Sequence, residues 1–322
     1  MIADFRSAVA AAALFAAPLA VGCGGGDSTG TAPPTVGHQT STQQGRGGGV
    51  DHGGSGPAAP ALLPANFERK ALAGSDPSRV GVVVAPLAGG PIKAFGASKA
   101  PHAWSTIKPV IAVAVLKARR AGDLAGGRAP TASERDLISR AIENSDNEAA
   151  AQLFGELGSM PQATAAMQMI LVEAGDRTTK VNGEVTRPGF SSYGQTEWAP
   201  RQAALFYRQL ANGCLADGAD TRLILADMGA VTPVGGSGWG LPLARFKGVR
   251  FKAGWGPERG ATGYTALQYG VVGDADSGGY VIGVFAETDG DAAGAYDAVS
   301  AVARNAAAAL RGRQGPKGPP QC

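Results

Sequence analysis

Three short clusters hold residues that could do chemistry together. The first is Trp104-Ser105-Thr106-Ile107-Lys108-Pro109, at the entrance to an apolar run. On a helix beginning at Ser105, Ser105 and Lys108 share one face, three positions apart. A hydroxyl then faces an amine, and the helix N-terminus adds positive potential, which together make an activated nucleophile. A lone Ser-x-x-Lys pair recurs by chance in a chain of this size, so its weight comes from its company. The second cluster, Ser145-Asp146-Asn147, falls at a junction between two expected helices, where polar side chains can point off the helix ends into a cleft. The same trio could serve simply as an N-cap. The third, Phe251-Lys252-Ala253-Gly254-Trp255-Gly256, leaves a strand for a glycine-rich turn, where the backbone can approach a ligand closely. A plain strand end is the competing reading.

The elements around these clusters follow from periodicity. A short helix is expected over 65–74. Arg79-Val80-Gly81-Val82-Val83-Val84-Ala85 is a β-branched strand, Gly89-Gly90-Pro91 a turn, and Ile92 to Gly96 the return strand of a hairpin. The Ser105 helix is apolar almost all round, hence central and buried, and stops at Arg119-Arg120-Ala121-Gly122. Thr131-x-x-Glu134 is a capping box that opens a helix to about Glu143. Helices are expected over 147–157, 161–174, 200–212 and 220–228. Residues 175–199 form an aperiodic loop long enough to suggest function, and 232–246 a Gly/Pro loop. Strands over 249–253, 265–272 and 280–287 and a last helix over 291–311 finish the chain. Two strands, a block of helices, three strands and a helix make an α+β domain whose two ends share one antiparallel sheet.

Composition narrows the classes. The chain has 322 residues, 44% of them hydrophobic, with a net charge of +3, too small to argue for nucleic acid. Two of its three histidines, His38 and His52, lie in low-complexity sequence, which argues against a histidine metal site. There is neither a Gly-x-x-x-x-Gly-Lys-Ser/Thr loop nor a Gly-x-Gly-x-x-Gly fingerprint. Residues 1–22 read as an export signal with an apolar run too short to span a bilayer. The run ends Leu19-Ala20-Val21-Gly22-Cys23, which resembles a bacterial lipobox, with Ala20 where leucine is usual. Cys23 is then the lipidation site, and 23–64, rich in Gly, Pro, Ser and Thr, a disordered tether. The expected protein is extracytoplasmic and lipid-anchored, with one domain over 65–312 and a flexible tail over 313–322. Outside the cytoplasm Cys214 and Cys322 could pair or stay free; sequence does not place them in contact.

Ser-x-x-Lys, Ser-Asp-Asn and Lys-x-Gly in this order resemble the motif set of class A β-lactamases and penicillin-binding serine hydrolases. The similarity spans about 66–311 and includes Ser-Asp-Asn-Glu-Ala-Ala-Ala-Gln-Leu-Phe and the close of the family's omega loop from Gln195-Thr196 through Pro200. It implies a β-lactamase/transpeptidase-like fold, a five-stranded antiparallel sheet flanked by helices with an all-helical subdomain. It also implies roles. Ser105 is acylated and Lys108 is its base or relay. Ser145 passes protons between Lys108, Lys252 and the leaving nitrogen. Asn147 holds Lys108 and the substrate amide, Lys252 attracts the substrate carboxylate, and Gly254 lets the strand approach. The backbone N–H groups of Ser105 and Trp255 form an oxyanion hole.

The sequence departs from that pattern in four places. Ala253 replaces a hydroxyl residue, and Thr262 stands for the arginine that holds the carboxylate, with Arg259 nearby. The segment from Lys108 to Ser145 is short, which should remove one wall of the cleft. The Glu-x-x-Leu-Asn signature is missing, and Glu184 is the candidate deacylation base near its place. The expectation is a cofactor-free, monomeric serine acyl-enzyme hydrolase. It would take a β-lactam or a peptidoglycan-peptide-like substrate and be inefficient on penicillins. The alternatives are a D-alanyl-D-alanine peptidase, a catalytically silent cell-wall-binding lipoprotein, and a Ser-His hydrolase using His102, against which the lack of a Gly-x-Ser-x-Gly elbow counts.

Overall fold

The computed structural model describes residues 61–124, 129–232, 242–258 and 263–322. The signal, Cys23 and most of the tether lie outside them, as do Arg259 and Thr262. Helix α1 (Phe67–Ala71) precedes the hairpin of β1 (Val80–Pro86) and β2 (Lys93–Gly96). A helical block follows: α2 (Lys108–Ala121), α3 (Ala132–Glu143), α4 (Asn147–Glu156), α5 (Met160–Glu173), α6 (Pro200–Ala211) and α7 (Gly218–Gly229). The chain then returns to the sheet through β3 (Arg250–Pro257), β4 (Tyr264–Val272) and β5 (Tyr280–Thr288), and α8 (Ala292–Leu310) closes it. The sheet order is β2-β1-β5-β4-β3 with every neighbour antiparallel, so β5, the last strand in the chain, is central.

The pleat sorts each strand's side chains onto two faces. Val82 and Val84 of β1, with Ile282 and Val284 of β5, pack under α1 and α8 against Phe67, Val299 and Val302. Val83 and Ala85 face the helical block, where they join Ile111, Phe206, Tyr207 and Tyr269. Helix α2 is the axis of that block. Nine consecutive residues from Lys108 to Leu116 are buried, as an all-apolar helix requires. It ends on Gly122 in the left-handed conformation with Arg119 and Arg120 in its last turn. The capping box forms as the sequence says: Thr131 Oγ1 accepts from Glu134 N, and Glu134 returns a bond to Thr131 N.

At both ends of the domain the chain makes contacts beyond the expected 65–312. Leu62 is buried against the α8 side of the sheet, so ordered packing begins before residue 65; one leucine after a polar run is too weak a local signal to show this. The tail, expected to be flexible, makes specific contacts. Gly315 N donates to Gly278 O at 2.6 Å, and a Cys214–Cys322 disulfide, with Cα atoms 5.3 Å apart, ties the last residue to the loop after α6. The apposition depends on how α6 lies against the sheet, which has no local signature. The long loop holds a 3-10 turn, Tyr193–Gln195, and a β-bridge from Glu197 to His102, and it is also pinned from within. Asp176 accepts from Thr178 N, Thr179 N and Trp198 Nε1, and Gln168 of α5 bonds Thr179 O and Val181 N.

Candidate active site

The nucleophile turn is tighter than an α-helical start. Trp104–Ile107 is a 3-10 turn that runs straight into α2 at Lys108. Three residues per turn place Ser105 directly over Lys108. Trp104 has φ 46°, a left-handed conformation that costs a bulky residue about 1–3 kcal/mol and persists only where its surroundings enforce it. Here the enforcement is visible. The indole lies edge-on to His102 at 5.3 Å and to Phe190 at 5.3 Å, and it rests on Gly256, where a Cβ would come within 2.4 Å of the ring. Gly254 has the same role toward the backbone: its Cβ would stand 2.9 Å from both Ser105 N and Thr106 N. These glycines therefore do not begin a turn, as the sequence suggests. They keep Lys252-Ala253-Gly254-Trp255-Gly256 within β3 and let the nucleophile turn press against it.

The ladder fixes which groups of β3 face that turn. Glu258 N donates to Gly263 O, and the register is uniform down to Arg250↔Val271. Hydrogen-bonded pairs alternate in an antiparallel ladder, so Gly256, Gly254 and Lys252 bond to β4, while Ala253 and Trp255 turn their backbone groups to the open edge. Trp255 N–H thus points to the side on which Ser105 packs, as an oxyanion hole needs. Lys252 Nζ donates to the outward Ala253 carbonyl at 2.9 Å.

Two lysines converge on one hydroxyl. Ser145, the second non-glycine residue with a left-handed backbone (φ 54°), lies between α3 and α4. Its carbonyl accepts from Lys108 Nζ at 2.6 Å, and its Oγ lies 2.9 Å from Lys252 Nζ and 3.5 Å from Lys108 Nζ. Lys108 also bonds Asn147 Oδ1 at 2.8 Å and Asp146 O at 3.2 Å. Asp146 faces elsewhere, capping α4 through Glu148 N and Ala149 N and pairing with Arg140 at 2.5 Å. Both amines are buried. Burial pushes Lys108 down to about 7, against the partial opposition of Asp146. Burial, reinforced by the neighbouring Lys108 charge, pushes Lys252 well below its ordinary value. A neutral amine three residues from a serine can accept that serine's proton.

Ser105, Lys108, Ser145, Asn147 and Trp255 line a single cleft of about 970 Å³; Lys252 and Gly254 do not line it but touch residues there, Lys252 through Ser145 Oγ and Gly254 against Ser105 N. Glu184 is not among them. It is exposed and lines a separate concavity with Thr164, Gln168 and Lys180, while its neighbour Val185 lines the cleft. Adjacent residues of an extended loop point to opposite sides, and position in sequence does not decide which side is which. The short α2–α3 connection places none of its described residues in the cleft, whose wall is built by α4, α5 and the long loop. The sequence reading missed Glu258 and Phe190, and took His102 only as the base of an alternative hydrolase. His102 and Glu258 are both buried with Nδ1 and Oε2 3.1 Å apart, close enough to pair as charges but off-line for a hydrogen bond. Phe190, on the cleft rim against Trp104, is one of three aromatics in the aperiodic loop, and nothing local sets it apart from Tyr193 and Trp198.

A family model described as the beta-lactamase enzyme family matches residues 66–310. Among solved structures, a class A β-lactamase described as that of the last common ancestor of Gram-negative bacteria is similar at 23% identity. It has a TM-score of 0.57 and covers 76% of this chain and 100% of its own. A structure described as PBP-A is similar at 18% identity and a TM-score of 0.58, covering 77% of this chain and 99% of its own. At these identities the likeness is one of fold. No curated protein matches the chain.

Proposed function

We propose, since this chain belongs to the beta-lactamase enzyme family, that it is a serine hydrolase that works through an acyl-enzyme on Ser105. Its substrate would be a β-lactam or a related amide or ester. Neutral Lys108 takes the Ser105 proton as Oγ attacks the carbonyl carbon, and the N–H groups of Ser105 and Trp255 receive the oxyanion. Collapse breaks the bond to the leaving nitrogen or oxygen. That atom takes a proton relayed from Lys108 through Ser145, beside Lys252. Water then cleaves the ester. The observation that carries this reading is the sharing of Ser145 by two buried lysines, an arrangement a silent scaffold has no stability reason to keep, because two buried amines cost free energy.

The test is intact mass of the protein after mixing with a penicillin, with Ser105→Ala as control. An adduct lost in Ser105→Ala, or consumption of substrate lost in that variant, supports the reading. Full activity in Ser105→Ala ends it. A second reading, a penicillin-binding peptidase that traps β-lactams, is favoured by the position of Glu184 outside the cleft, because hydrolysis of the acyl-enzyme needs a base for water. A persistent adduct distinguishes it from turnover. An extracytoplasmic location is proposed with it; the lipobox-like run ending at Cys23 and the Cys214–Cys322 disulfide support this. Loss of membrane fractionation in Cys23→Ala is the expected result.

A further inference from the structure

Positive charge gathers at one place outside the catalytic cleft. Arg245 and Lys247, just ahead of β3, and Arg304, Arg311 and Arg313, in and after the last turns of α8, line a concavity of about 450 Å³. Together they exceed the +3 net charge of the whole chain. All but Arg313 are exposed, and none of the five has an ion pair among the described residues. No described Asp or Glu lines the concavity, and residues 125–128, 233–241 and 259–262, outside the described structure, contain none. Asp274, in the turn that follows Val272 on its rim, accepts from Ser277 N at 2.8 Å and is countered by Arg250. A helix C-terminus attracts cations with about half a negative charge, which does not account for five, two of them from a separate segment. The concavity is closed to apolar contact. Phe246, Tyr280 and Leu310 are buried in its floor, and none of the large exposed hydrophobics lies here. It therefore offers charge without an apolar wedge, which suits a surface of anions. Its position indicates which surface. Arg313 Nη1 donates to Ala61 O at 2.7 Å, so the chain that arrives from Cys23 joins the domain at this concavity.

We propose that this concavity docks the domain on the anionic lipid headgroups of the bilayer that holds Cys23. The choice of a bilayer rests on the proposed lipidation of Cys23; the basic surface itself does not. One weak membrane signal binds reversibly and two bind stably, so these charges act together with the anchor. The test uses the full chain with Cys23→Ala, which removes any lipid. It is sedimented with vesicles of phosphatidylcholine alone and with about 30% phosphatidylglycerol, in about 50 mM salt. The ratio of the two partition coefficients cancels the contribution of the apolar run over 8–21, common to both. A ratio of about thirtyfold or more is expected, at about fivefold per cation close to the surface, and it should collapse in about 0.5 M salt. Arg304→Gln/Arg311→Gln should lower the ratio about tenfold with the thermal midpoint in place, and Arg245→Gln/Lys247→Gln should do the same from the separate segment. Arg177→Gln/Lys180→Gln, an equal loss of charge on the exposed long loop, should change it less than about twofold. Equal partition into both vesicles, or equal losses in the loop pair and the concavity pairs, overturns the proposal. So does tighter binding of polyphosphate than of vesicles at equal phosphate, lost with Arg304 and Arg311, which would give the concavity to a soluble polyanion. If Cys23→Ala fractionates with cell membranes as the wild type does while the vesicle preference holds, the anchor is refuted and the docking surface stands.

Discussion

The protonation of Lys108 governs the first chemical step, and its size can be worked out. Burial moves the amine from 10.5 to about 7. At about 1.4 kcal/mol per unit this is a difference of about 5 kcal/mol between charged and neutral forms. At pH 8 an ordinary lysine is neutral in only about 0.3% of molecules, and this one in about 90%, a gain of about 300-fold in competent base. The acylation rate of Ser105 should therefore fall about tenfold per unit below pH 7 and level off above it. Asp146 opposes the shift, so Asp146→Asn, which keeps an N-cap side chain for α4, should move the midpoint lower. The assay is the rate constant for release of p-nitrophenol from p-nitrophenyl phenylacetate, by stopped flow from pH 5 to 9 at a wavelength where the phenol and its anion absorb equally. A flat profile, a midpoint above 9, or no movement in Asp146→Asn would refute the base assignment. The same depressed amine has a stability consequence of fixed sign. Between about 7 and 10.5 the unfolded chain binds a proton that the folded one does not, so stability rises with pH across that window; below about 7 the full penalty is present and constant. Lys252, also depressed, acts in the same direction.

Three further outcomes are expected. Gly254→Ala puts a methyl group 2.9 Å from Ser105 N and Thr106 N, so acylation should drop about 100-fold or more while the fold loses about 1–3 kcal/mol; burst amplitude and a urea melt read the two separately. Cys322→Ser should cost about 2–4 kcal/mol in a urea melt under oxidising conditions and almost nothing once the wild-type protein is reduced, because the disulfide closes a long loop. Asp227 is raised to about 6 by burial, with Glu143 adding repulsion against the Ser139 hydrogen bond that lowers it. Its penalty grows as pH rises from about 4 to 6 and is full above, so Asp227→Asn should raise the melting temperature at pH 7.5 and change little at pH 4. Equal shifts at both pH values would contradict that account.

What the sequence determines by itself is local. The capping box at Thr131, the β-branched run of β1, the all-apolar stretch of α2 and its glycine stop each follow from contacts within a few residues, and all stand where the pattern puts them. The order of Ser105/Lys108, Ser145–Asn147 and Lys252–Gly254 was likewise legible, because motif residues sit at element ends that periodicity locates. Tertiary structure decided the rest. Lys108 and Lys252 reach one hydroxyl across 37 and 107 positions of chain, and their depressed protonation exists only once α2, the α3–α4 junction and β3 have closed around them. Trp104 is left-handed because Gly256 and Phe190 hold its ring, not because of its own preference. The side of the long loop that carries Val185 rather than Glu184 into the cleft, and the disulfide that ties down the tail, depend on packing between segments far apart in sequence. Hydrogen-bonding and hydrophobic periods act over one or two turns, whereas charge burial, backbone strain and side-chain direction in loops depend on the assembled surroundings.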